Sequence, residues 1–213
     1  KGTNSETIGG LAGSGEVRGH EAITNATSTL VISSTTTNTF SGVLADGGAT
    51  GSKLELTKSG SGTQVLSGAN STYTGATSVN GGVLEVTANN ALGTAAAGTT
   101  VASGAALRLN AVSYSTAEAL SLNGDGISGG GALVNVGTSS YAGAITAATS
   151  ATINLGGGSL SLSGGLVKNG TVLTITGGGT LDVGTVGISG AAANSDLVVS
   201  GSTVNVNIAS TYN

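Results

Sequence analysis

From end to end the chain repeats one short pattern, apolar residues at alternate positions over about four residues, and this limits the folds open to it. Lys53-Leu-Glu-Leu56, Val83-Leu-Glu-Val86, Ala106-Leu-Arg-Leu109, Ala119-Leu-Ser-Leu122, Ser159-Leu-Ser-Leu162, Thr180-Leu-Asp-Val183 and Thr203-Val-Asn-Val206 all show it. Alternation with period two marks a strand with one buried face, because successive side chains point to opposite sides. No segment holds a 3.6-residue stripe, so the reading is all-β. Between the strands lie Asp46-Gly-Gly48, Gly129-Gly-Gly131, Gly156-Gly-Gly158 and Gly177-Gly-Gly179, where the chain can turn sharply without a Cβ clash.

The strands recur at a second, longer period. Leu133, Ile153, Leu173 and Leu197 follow one another at near-equal steps, and so do Leu160, Leu181 and Val204. Each step is close to the roughly 20 residues that three short strands with their corners take. That suits one coil of a parallel β-helix stacked on the next at about 4.8 Å. About ten coils would give a rod roughly 45–50 Å long. The competing fold is a β-sandwich or barrel, in which Gly81-Gly82, Asn123-Gly124 and Asn169-Gly170 would be hairpin turns. The longer recurrence favours the solenoid.

Composition agrees. Of 213 residues, 38% are hydrophobic and 8% charged, so the chain can build a core and lacks the charge that keeps disordered segments open. Aromatics are only 2%, which fits a narrow lumen filled by Val, Leu, Ile and Ala. There is no Pro, as expected where almost every strand is paired. Absence of Cys excludes a disulfide framework and a thiolate nucleophile or metal site. A net charge of -4 with six scattered basic residues argues against a nucleic-acid partner, which requires clustered Lys and Arg. No run of 18 apolar residues is present, so no membrane insertion by this segment is expected.

Four of the five aromatics share a local pattern with Thr or Ser just before the ring and usually Gly two residues after. They are Phe40 in Asn38-Thr-Phe-Ser-Gly42, Tyr73 in Ser71-Thr-Tyr-Thr-Gly75, Tyr141 in Ser139-Ser-Tyr-Ala-Gly143, and Tyr212 in Ser210-Thr-Tyr-Asn213. Because the fourth copy stops before its Gly, residues 1–213 are expected to be a single segment of a longer solenoid. The best-matching repeat, residues 53–86, resembles the autotransporter-associated β-strand repeat, also called the passenger-associated transport repeat. That family runs Leu-x-Lys-x-Gly-x-Gly-x-x-x-Leu-x-Gly, then Asn-x-Tyr-x-Gly, then Val-x-x-Gly-x-Leu. Lys58, Gly60, Gly62, Leu66, Gly68, Tyr73, Gly75, Val79, Gly82 and Leu84 occupy those positions, with one extra residue between Asn70 and Tyr73. The resemblance implies a right-handed parallel β-helix in a secreted autotransporter passenger, threaded through an outer-membrane barrel, with the repeat aiding translocation and folding. A chain without disulfides suits threading.

Candidate chemistry is sparse. Glu16, Arg18 and His20 in Glu16-Val-Arg-Gly-His-Glu21 would share a strand face, but one His cannot make a zincin motif, and a solvated ion-pair face is the simpler reading. Asp125 in Asn123-Gly-Asp-Gly126 has no tandem copies of the kind calcium-binding solenoids use, so it reads as a turn. The pairs Thr35/Thr37, Thr72/Thr74 and Thr174/Thr176 lack the regular coil period of an ice-binding array. No two carboxylates fall close enough on neighbouring repeats to flank one glycosidic bond. Lys58 is expected to hold a corner or surface position, and the aromatics to pack at a recurring corner rather than stack on sugars. No catalytic residue, metal or cofactor is expected. The resulting expectation is a rigid stalk, extracellular or on the cell surface and outer-membrane-associated. The alternatives are an adhesin binding a surface glycan or protein, a self-associating fibre subunit, and more distantly a polysaccharide-active enzyme.

Overall fold

The computed structural model describes residues 3–184, 186–190 and 196–206. Within them the alternation becomes burial as expected: Lys53–Lys58 buries Leu54, Leu56 and Lys58 and leaves Lys53, Glu55 and Thr57 outside or half-buried. Every strand pairing among the described residues is parallel. The hairpins of a sandwich are therefore overturned. Asn169 and Gly170, with φ of 50° and 74°, do turn the chain, but between strands Leu166–Val167 and Leu173–Thr176 on adjacent faces.

The chain is a parallel β-solenoid of about nine turns, with three strand positions per turn. One face stacks Thr3–Ile8, Thr27–Ile32, Lys53–Lys58, Thr77–Val79, Thr99–Val101, Leu120–Gly124, the start of Ile145–Asn154, Leu166–Val167 and Ile188–Ser189. The second runs from Asn38–Phe40 through Thr63–Leu66, Gly82–Val86, Ala105–Asn110, Leu133–Val136, the end of Ile145–Asn154 and Leu173–Thr176 to Leu197–Val199. The third is interrupted. Glu16–Arg18 pairs with Val43–Ala45, single bonds from Thr72 N to Leu44 O and from Thr94 N to Tyr73 O carry the stack onward, and strands resume from Ser113–Tyr114 to Thr203–Val206.

Turn length varies, and this trims the count from about ten. Thr63 pairs with Val83, whereas Thr27 pairs with Lys53, a distinctly longer step along the chain. Corners absorb the difference: residues 124–132 hold a single 3₁₀ turn, Ile127–Gly129, outside the stack. The expected series Leu160, Leu181, Val204 lies in register. In the other series Ile153 pairs with Ile175 rather than Leu173, which sits above Ala151. The core is a lumen lined by columns such as Leu84, Leu107, Leu133, Ile153 and Ile175, each fully buried. In-line stacking lets each turn cover the apolar face of its neighbour, as solenoids require.

Candidate functional site

The repeat at residues 53–86 places its aliphatic positions in the lumen: Leu66, Val79 and Leu84 are all buried. Its glycines share one physical cause. A Cβ on Gly60, Gly62, Gly68, Gly75 or Gly82 would overlap a backbone carbonyl oxygen of the preceding turn: Ser34, Thr36, Gly42, Leu54 and Gly62 respectively. The repeat thus marks corners where two stacked turns approach too closely for any side chain. Lys58 departs from a surface position, because it is fully buried at its corner. Its Nζ donates to Gly60 O, and to Gly81 O at 3.1 Å. Desolvation holds its ammonium below the ordinary lysine range.

Phe40, Tyr73 and Tyr141 are buried, so none can stack on a sugar. They do not mark one recurring corner. Tyr73 and Tyr141 each lead through a Gly into a first-face strand, at Thr77 and Ile145, whereas Phe40 pairs with Leu66 on the second face. The local pattern specifies a bulky inward residue before a tight turn, and more than one corner needs that. Tyr212 lies outside the described residues.

Elsewhere the surface holds little chemistry. Arg18 pairs with Glu21 at 2.9 Å and Glu16 at 3.7 Å, all three well exposed, and His20 Nδ1 accepts the Ala22 N–H. Arg18 and His20 line, with Asn4, Glu6, Leu30 and Leu54, an open cleft of about 300 Å³. Asp125 sits in a turn between two left-handed glycines, its carbonyl accepting the Gly131 N–H. The Thr pairs share no face: Thr35/Thr37 and Thr72/Thr74 fall in corners and Thr174/Thr176 on a second-face strand. Among the described residues no group of three or more His, Cys, Asp or Glu side chains could hold a metal.

The concentrated polar chemistry is inside, where Tyr73 and Tyr141 join Thr99, Tyr114 and Glu118, three residues that no sequence motif marked. Glu118 is 1% exposed. Thr99 Oγ1 donates to its Oε1 at 2.7 Å and Tyr114 OH to its Oε2 at 3.2 Å, while its backbone carbonyl accepts from Tyr141 OH at 2.9 Å. Tyr114 and Tyr141 stack in register with centroids 5.2 Å apart, and Tyr73 OH bonds Thr77 Oγ1 at 2.6 Å. Burial raises the Glu118 carboxyl to about 7 against the opposing pull of its Thr99 and Tyr114 bonds, and pushes all three tyrosines above their ordinary range. Gln64 and Asn135 are also in the lumen. Gln64 joins three turns through bonds to Leu11 and Asn38, and Asn135 Nδ2 reaches the Gly137 and Leu155 carbonyls. The sequence signal was phase: Lys58, Gln64, Glu118 and Asn135 each fall two residues from an inward Leu.

Fold and site together define a repeat-built β-solenoid whose strongest polar interactions hold its own turns together. The particular repeat is identifiable: residues 56–86 match the passenger-associated-transport-repeat family, which covers a little more than one turn of the stack. No curated protein and no solved structure shows a significant match to the chain.

Proposed function

We propose that this chain is a structural segment of a secreted or cell-surface autotransporter-type passenger, a rigid β-helical stalk that presents other parts of the protein and carries out no catalysis. The match to the transport repeat carries this reading. The geometry supports it, since the repeat residues are used up in stacking: glycines against backbone, Lys58 on corner carbonyls, Tyr73 in the lumen. The one strongly perturbed carboxyl is sealed from any substrate. Parallel stacking satisfies backbone groups from turn to turn, so stiffness accumulates along the axis. No helix among the described residues is long and apolar enough to cross a membrane. In cells that make the protein, antibody to this segment should label intact cells, and external protease should abolish the label. Labelling only after lysis would rule the reading out. Deleting residues 56–86 should lower the amount of protein reaching the surface.

A further inference from the structure

Glu118 stands in phase with Leu120 and Leu122 on the inward side and is the one buried carboxyl among the described residues, the other buried charged side chains being Lys58 and Lys168. The column at Leu120 runs Thr77, Thr99, Leu120, Ile145. Around Glu118 four consecutive turns meet: Tyr73 with Thr77, then Thr99, then Tyr114 with Glu118 itself, then Tyr141. The titratable groups facing it are these three tyrosines, one each from the turns of Tyr73, Tyr114 and Tyr141. No ion pair among the described residues includes it.

We propose that this cluster is a proton-operated latch: the neutral Glu118 carboxyl closes the middle of the solenoid, and its ionisation loosens the turn of residues 114–122. The Thr99 and Tyr114 hydroxyls both donate to the Glu118 carboxyl, which offsets only part of the cost of placing a charge in the lumen. A carboxylate only accepts, and a charge in the lumen without a cation is strongly disfavoured. The tyrosines stay neutral throughout, since burial raises them. The folded-state value of Glu118, about 7, lies above its ordinary 4.5. The stabilisation is therefore fully present below about pH 4.5 and is lost as pH rises through about 7. The inference is independent of the stalk reading, because it concerns opening of the fold rather than its location.

Hydrogen exchange of the full chain, followed by mass spectrometry between pH 5 and 8 and corrected for intrinsic exchange, tests it. The opening equilibrium of residues 114–122 should rise by up to about seventyfold across that range in the native chain. In Glu118→Gln it should stay flat. A flat profile in the native chain, or the same rise in Glu118→Gln, overturns the latch. Should Glu118→Gln not fold, Thr99→Val decides. Losing that donor removes stabilisation of the carboxylate, so the midpoint must move to higher pH, and an unmoved or lowered midpoint refutes the proposal.

Discussion

Replacing Gly68 by Ala is a sharp test of why the repeat is rich in glycine. At this corner a Cβ would overlap Gly42 O and come within 2.7 Å of both Gly42 C and Ser41 O. All three are backbone atoms, which cannot rotate away, so the two turns must part. Gly68 is not in the left-handed region, so the effect is one of space and not of conformation. Overpacking of this kind costs about 1–3 kcal/mol. Parting the turns also strains the adjacent bond from Ser67 N to Phe40 O, 2.9 Å long and worth about 1 kcal/mol. Ala restricts the unfolded chain and returns about 0.4–1 kcal/mol. The net expectation is a loss of about 1–3.5 kcal/mol, centred near 2. Gly9→Ala is the control, because a Cβ there meets nothing within 4 Å and its φ is not left-handed. In urea unfolding followed by far-UV circular dichroism, Gly68→Ala should lower the midpoint by about 1 M, given a slope of about 2 kcal/mol/M. Gly9→Ala should leave it unchanged or slightly raised. Coincident midpoints for the two variants would refute the close-approach argument.

Two further outcomes follow from the stacking. Lys58→Met should lower stability by about 2–4 kcal/mol, because it strips a donor from the Gly60 and Gly81 carbonyls, whereas Lys53→Met, on the exposed end of the same strand, should fall within about 0.5 kcal/mol of the native chain. The chain has no cysteine, so spin labels can be placed at will. Thr7 and Thr100 are four rungs apart on the first face, through Val31, Thr57 and Ser78, and Ser189 lies four rungs beyond through Ser121, Thr146 and Val167. Electron-electron distances should cluster about backbone separations of roughly 19 Å for Thr7→Cys with Thr100→Cys and roughly 38 Å for Thr7→Cys with Ser189→Cys. A second distance no longer than the first would contradict the linear stack.

Which way each strand residue faces is written in the local sequence. Alternation places Leu56 inside and Thr57 outside, and it does so regardless of polarity, which is why Lys58 and Glu118 could have been assigned to the lumen from their phase alone. The repeat's fixed glycines likewise marked the corners in the sequence, although the reason for most of them, the backbone of the preceding turn, appears only in the stack. What those inward groups meet emerges only once the turns are stacked. Asn169-Gly170 is equally good chemistry for a hairpin or a corner, and only the parallel neighbours at Ile145 and Ala151 make it a corner. Thr99 and Glu118 meet across a sequence separation of 19, and Leu11 and Gln64 across one of 53. Such meetings depend on how much chain each corner absorbs, and with turns of unequal length the register is the sum of every corner below it. Period two is a property of the backbone of one strand, whereas register is a property of the whole stack, and no single segment encodes it.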